Sequence, residues 1–321
     1  MTTRRKFMLA SAFACVATRA VAQRGKRARI GILGPTALQR SVYASALASV
    51  LADLGYGQGS LEYRASDGIA ERYPRQAKEL VDLKCDVIYA VGPEAAVRAL
   101  HDARAPTPIV FLAVDYDPVE KGVVSSFRRP DRNTTGVYVP QAALVLKRME
   151  ILREIVPSAR SFLVLADVFS RDQMGPVRSA AQNAGIRLVV HEFVSHPYDF
   201  RAAFDVGRQA AVQGMIGLAS PVFPQRREEI VALLTKHRLP AVGSNPLQVE
   251  AGYLMTLAPD VRKTARRAAE IGVRILKGAR PADIPVEQVD EFELAINARS
   301  ARMLSIKIPE SVLARATRII S

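Results

Sequence analysis

Asp86-Val87-Ile88-Tyr89-Ala90-Val91 is followed by the turn Gly92-Pro93, by the helical pattern Glu94–Arg104, and then by Pro108-Ile109-Val110-Phe111-Leu112. Both flanking runs are apolar at nearly every position. A strand with one wet face alternates in polarity, so uninterrupted runs of this length read as parallel strands covered on both faces. The helix between them is the crossover that parallel neighbours require. Working back toward the N-terminus, Arg29–Gly34 reads as a strand, Ser41–Leu54 as a helix stopped by Gly55, Leu61–Ala65 as a strand and Ile69–Leu83 as a helix. The same alternation runs forward. A helix from Ala142 to Val156 ends at Pro157, and the strands Phe162–Ala166, Arg187–Phe193, Met215–Leu218 and Pro240–Val242 follow. Helices near Gln173–Ala184, Tyr198–Val212 and Gln225–His237 separate them. This pattern predicts an α/β fold with parallel sheets. The number of strands suits two sheets better than one, with the break near Asn133–Pro140. Beyond Tyr253–Leu257 the pattern predicts a long helix over Val261–Leu276, a strand over Phe292–Asn297 and a final helix over Ser311–Ile319.

The N-terminus has a different character. Thr3-Arg4-Arg5-Lys6-Phe7, the apolar run Met8–Val16 and Ala20-Val21-Ala22 before Gln23 form the charged, apolar and small-residue parts of an export signal. The apolar run falls well short of the roughly 20 residues that a membrane-spanning helix needs. The paired arginines, with Arg19 near the cleavage site, suit the twin-arginine route of bacteria. Residues 1–22 are thus expected to be an export signal peptide and the protein to work in the periplasm, away from freely supplied ATP and nicotinamide cofactors. Their removal would leave 41 basic against 31 acidic residues, net +10. The basic residues are scattered among acids, Trp is absent, and no aromatic stripe is interleaved with arginine, which argues against nucleic acid as a partner. Cys85 is the only cysteine after the signal, so no intramolecular disulfide is expected.

In open parallel sheets, ligands bind beyond the C-terminal ends of the strands, where the strand order reverses. That rule selects the candidate ligand-binding residues Pro35, Thr36, Gly92, Pro93, Glu94, Asp115, Tyr116 and Asp117 in the first half. In the second half it selects Asp167, Phe169, Ser170, Ser220, Phe223 and Asn245. The loops offer small residues for close backbone approach, helix N-termini suited to a carboxylate, aromatic rings (Tyr116, Phe169, Phe223) and acids able to take an ammonium group. This is the inventory of a cleft for an amino-acid-like molecule. Ser170, Ser244 and Asn245 equally suit helix N-caps. Catalytic patterns are weak: there are four histidines, and His191-Glu192-Phe193-Val194-Ser195-His196 is one residue too long for a helical zinc motif. No nucleophile elbow, phosphate loop or dinucleotide fingerprint follows any strand, so neither a cofactor nor an enzymatic activity is expected.

The chain resembles the family of ABC transporter substrate-binding proteins that includes the tryptophan/tyrosine-type members. The resemblance is carried by Ile30-Gly31-Ile32-Leu33, Leu54-Gly55-Tyr56-Gly57, Leu61-Glu62-Tyr63-Arg64, Pro108-Ile109-Val110-Phe111, Asp117-Pro118-Val119 and Asn133-Thr134-Thr135-Gly136-Val137. Further on it is carried by Lys147-Arg148-Met149-Glu150-Ile151-Leu152, Val249-Glu250-Ala251-Gly252-Tyr253, Ile275-Leu276-Lys277-Gly278 and Phe292-Glu293-Leu294-Ala295-Ile296-Asn297. It implies the type I periplasmic binding protein fold: two doubly wound parallel-sheet α/β lobes joined by three crossover strands near Val137–Pro140, Leu254–Ala258 and Glu287–Glu291. The implied lobes are residues 27–138 plus 258–287 and residues 139–257 plus 288–321. The implied function is a monomeric solute-binding protein that closes on a small-molecule ligand and delivers it to an ABC permease in the inner membrane. A sensing module for a membrane receptor or kinase, or an enzyme on the same scaffold, are the alternatives. Two loops depart from the family. Gly92-Pro93-Glu94-Ala95-Ala96 stands where Gly-Thr-Pro-Ala-Ala is common, and Asp167-Val168-Phe169-Ser170-Arg171 replaces an Asn-Pro-Asn pattern. Glu94 and Asp167 would favour a cationic group, Arg171 an anionic one.

Overall fold

The computed structural model describes residues 28–130 and 132–321; the expected export signal lies outside the described residues. The chain begins with β1 (Ile30–Gly34), α1 (Val42–Asp53), β2 (Leu61–Ala65), α2 (Tyr73–Asp82), β3 (Val87–Gly92), α3 (Glu94–Asp102), β4 (Ile109–Ala113) and β5 (Thr134–Tyr138). It continues with α4 (Gln141–Ile155), β6 (Ser161–Asp167), α5 (Arg171–Asn183), β7 (Arg187–Phe193), α6 (Phe200–Gln209) and β8 (Gly214–Gly217). Next come α7 (Arg227–His237), β9 (Ala241–Gly243), α8 (Pro246–Ala251), β10 (Met255–Pro259), α9 (Val261–Leu276) and β11 (Glu287–Gln288). β12 (Phe292–Asn297), α10 (Ala298–Met303), α11 (Glu310–Leu313) and β13 (Arg318–Ile320) complete it.

The strands form two sheets, ordered β11-β5-β4-β3-β1-β2 and β13-β12-β10-β9-β8-β6-β7. Within each, five consecutive strands follow the doubly wound order, reversing between β1 and β3 and again between β6 and β8. Every pairing is parallel except β10 with β12. The central strands β1, β3 and β4 are buried at all positions, as their unbroken apolar sequences demand. The edge strand β2, Leu-Glu-Tyr-Arg-Ala, is half-buried throughout, and its charged residues blunt an open edge.

The chain passes between the lobes three times. After β5 it builds the second sheet through β10. It then returns with α9, which packs along α1 and accepts a hydrogen bond at Ala269 O from Tyr89 OH at 3.3 Å. β11 pairs with β5, and the chain leaves again for β12. One apolar cluster runs continuously from Ile30 and Val87 in the first sheet to Val164 and Ile216 in the second, so the lobes share part of a core. The C-terminus departs from the expected helix over Ser311–Ile319. Helix persists only over α11, and Arg318–Ile320 pairs with β12 instead. The β-branched pair Ile319-Ile320 beside an unfilled sheet edge outweighs the weak helical pattern.

At the first crossing the backbones of β4 and β5 come unusually close. A Cβ added at Gly136 would lie 2.0 Å from Phe111 O, an atom that the sheet holds in place. Gly136→Ala is expected to destabilise the ligand-free protein by about 3 kcal/mol, read as a lowered urea midpoint with unchanged slope.

Candidate functional site

The sheets face each other along the C-terminal ends of their parallel strands, and a cleft with about 610 Å³ of unfilled space, part of it continuous with solvent, lies between them. The first lobe contributes Pro35 and Thr36 after β1, Gly92 and Pro93 at the end of β3, Asp115 after β4, and Ser41 and Tyr43 at the start of α1. The second contributes Gln141, Ala219, Ser220, Pro221 and Asn245. The cleft thus lies at the reversal of the first sheet, between the loops after β1 and β3, and faces the loop after β8 at the reversal of the second. Gly92 has φ +100° and turns the chain sharply beneath Pro35, a conformation that favours glycine. α3 opens at Pro93 with no side-chain cap, which leaves its leading N–H groups for solvent or ligand.

Asp115 is 5% exposed and lines the main cleft and two adjoining hollows. Tyr116, Asp117, Tyr138 and Gln141 share one hollow with it; Pro93, Glu94, Tyr116 and Phe169 share the other. Asp115 Oδ1 has no hydrogen-bond partner among the described residues. Burial pushes its carboxyl well above the usual carboxylate range, and the nearby charges of Asp167, Asp172 and Glu94 push the same way. A buried acceptor of this kind is costly when empty and selective for a donor when filled. Gln141 is its counterpart. It is 3% exposed, its Oε1 accepts from Arg148 Nη1 at 3.0 Å and Nη2 at 3.1 Å, and its Nε2 has no partner among the described residues.

Several predicted site residues have other work. Asp167 is fully buried, and its four hydrogen bonds come from within the protein. Oδ1 accepts from Phe169 N and Ser170 Oγ, both at 3.1 Å; Oδ2 accepts from Tyr198 OH at 3.3 Å and Ser220 Oγ at 2.5 Å. The carboxylate is thus the organiser of the loops after β6 and β8, with no oxygen left unengaged for a ligand. Ser170 is fully buried in that network, and Ser220, although it borders the cleft, also accepts from Val222 N at 3.0 Å. Phe223 is fully buried among Phe193, Tyr198 and Phe200, with ring centroids 6.0, 6.4 and 6.2 Å away, and so lies in the core of the second lobe rather than in the cleft. A phenyl ring gains more from that aromatic cluster than from a partly wet loop. Asp117 Oδ1 closes its own turn by accepting from Val119 N at 2.8 Å and Glu120 N at 3.1 Å. Glu94 is paired with Arg98 Nε at 2.6 Å, and Asn245 caps α8 through Leu247 N at 3.0 Å.

Among the described residues, contacts that cross the mouth between the lobes include Lys121 Nζ to Asp172 Oδ1 at 2.6 Å and His196 Nε2 to Gly68 O at 3.0 Å. Among the described residues no cluster of His, Cys, Asp and Glu suits a metal ion, and no helix is long and apolar enough to cross a membrane. Gln141, Arg148, Ser41 and Tyr43 lie outside the strand-end loops that the binding rule selects. The available signal was Arg148 itself, a charged residue on the apolar stripe Leu144, Val145, Met149 and Leu152 of α4.

Two doubly wound lobes around a cleft of this kind define a type I periplasmic binding architecture. The chain belongs to the family described as ABC transporter substrate binding protein, which it matches over residues 39–320. It is similar to the tyrosine-binding protein of Clostridioides difficile strain R20291, at 24% identity over 270 residues, 80% of this chain and 74% of that protein. Among solved structures it is similar to the ABC domain in complex with L-Trp from Streptococcus pneumonia, with TM-score 0.81, 23% identity, and 91% of this chain and all of the other covered. A conserved domain protein from Vibrio cholerae superposes with TM-score 0.83 at 25% identity, covering 92% of this chain and all of the other.

The two acids should separate in their effect on the ligand-free protein. Asp115 has a raised folded pKa, so the stability tied to it is present below the unfolded carboxylate pKa of about 3.9 and is lost as pH rises toward the raised value. Thermal midpoints measured from pH 4 to pH 8 should therefore fall less steeply in Asp115→Asn than in the unaltered protein. Asp167→Ala, which strands buried hydroxyls, should cost about 3 kcal/mol or more at neutral pH.

Proposed function

We propose that the protein is the solute-binding component of an ABC importer and that it holds a free amino acid between its lobes. The observation that carries this reading is the buried, unpartnered Oδ1 of Asp115, which opens onto the cleft and its adjoining hollows. An ammonium group would supply the missing donor and favour the ionised form of a carboxyl whose pKa burial raises. Tyr116 and Phe169, beside Asp115 in one hollow, offer faces for an aromatic or aliphatic side chain. The tyrosine and L-Trp in the descriptions of two relatives support an aromatic amino acid as the first choice.

The lobes are residues 27–138 plus 258–287 and residues 139–257 plus 288–321, with their boundaries at the three crossings. They close on the ligand by a hinge at the three crossings. The ligand-bound monomer meets a membrane permease. The Arg-Arg start and Ala-x-Ala end of the leader support twin-arginine export to the periplasm. The hydrogen-bonded saturation of Asp167 and the pairing of Glu94 with Arg98 favour binding without turnover.

Calorimetric titration of the protein with L-tyrosine and L-tryptophan tests the proposal. One of them should bind, and Asp115→Ala should weaken binding about 100-fold or more, since removing one partner of a buried charge pair costs about 2–5 kcal/mol. Full affinity in Asp115→Ala, or no binding of either amino acid, would contradict it.

A further inference from the structure

The buried guanidinium of Arg148 is not explained by the ammonium site. Arg148 is fully buried in α4, and among the described residues no carboxylate lies within ion-pair distance of it. Its Nε donates to Leu257 O of β10 at 2.8 Å, and both Nη atoms donate to Gln141 Oε1. Burial pulls its pKa down to about 9, so it remains protonated at neutral pH. A buried cation without an anion is expensive unless something else meets its charge.

The geometry fixes the orientation of Gln141. Two guanidinium N–H groups on one amide atom require that atom to be the oxygen; the flipped amide would set donors against donors. Nε2 is therefore turned away from Arg148, and this is the buried donor without a partner. Gln141 lines the main cleft and, with Asp115, the adjoining hollow. The cleft thus holds two orphaned buried atoms of opposite polarity, an acceptor on Asp115 and a donor on Gln141. The donor is polarised by the cation behind it. A zwitterion satisfies both.

We infer that Gln141 donates Nε2–H to a carboxylate oxygen of the bound amino acid, and that Arg148 is the residue that positions Gln141 for this contact. The inference rests on the amino-acid reading above and extends it. Recognition is of the free α-amino acid rather than of its amine alone. Arg148 also ties the contact to β10, the strand from which the chain returns to the first lobe.

The test compares L-tyrosine with tyramine, which lacks the carboxylate, by calorimetry and by competition at millimolar tyramine. The readout is the ratio of the tyramine to the tyrosine dissociation constant. The unaltered protein should prefer tyrosine, and Gln141→Glu, which keeps an acceptor for Arg148 but removes the donor, should lower the ratio about tenfold or more. Arg148→Lys, which holds the amide at a single point, should lower it about threefold. Circular dichroism checks that both variants are folded. Equal weakening of both probes means that Nε2 bonds only water, and it overturns the inference while leaving the ammonium site intact. The same holds for a ratio near one in the unaltered protein. If neither probe binds the unaltered protein, the amino-acid reading itself fails and takes this inference with it.

Discussion

A parallel sheet carries its loops in an orderly way: every strand points the same direction, so every loop that follows a strand opens on the same edge. Here two such sheets are linked by a chain that passes between them three times, and the linkage turns the two loop-bearing edges toward each other. The cleft, its two reversal points and the concentration of small residues along it all follow from that constraint. The close approach at Gly136 and the packing of α9 on α1 anchor the crossing segments on the first lobe.

Within the cleft, electrostatic roles are divided according to whether a charge is answered from inside the protein. Asp167 is answered four times over by its own loops, and it spends its charge on holding the turns after β6 and β8. Asp115 and Gln141 are each left with one unanswered atom, and Arg148 is left without an anion. Burial makes such gaps expensive in the empty protein. The same expense becomes selectivity when a molecule of the right polarity fills them, since a ligand lacking either charge leaves a buried group unpaired.

Much of the architecture was legible in the sequence. β2 and β7 run over Leu61–Ala65 and Arg187–Phe193 as read from their apolar patterns, and β1, β3 and β4 were recognised from unbroken apolar runs. α8 was legible only through Asn245 as a candidate N-cap, a role it fills in a capping box with Gln248, because Pro246 and the preceding Ser-Asn pair equally suit a loop. β13 was hidden because its partner edge exists only in the folded molecule. The strand-end rule located the loops of the cleft but not the direction of each side chain. Hence Phe223, which turns into an aromatic core, and Asp167, which turns into its own hydrogen-bond network, were grouped with Asp115. Gln141 and Arg148 went unseen for a different reason. They sit on a helix two turns apart, and only their pairing reveals that one is fixed by the other.

The central claim is that a ligand ammonium group completes Asp115. Calorimetric titration with L-tyrosine at pH 6, repeated in buffers of different ionisation enthalpy, measures the protons exchanged on binding. Burial raises the pKa of this carboxyl in the empty cleft and a bound ammonium favours its ionised form, so the account predicts proton release on binding, by a fraction that diminishes as pH rises. Binding with no proton exchange, or with proton uptake, would contradict it.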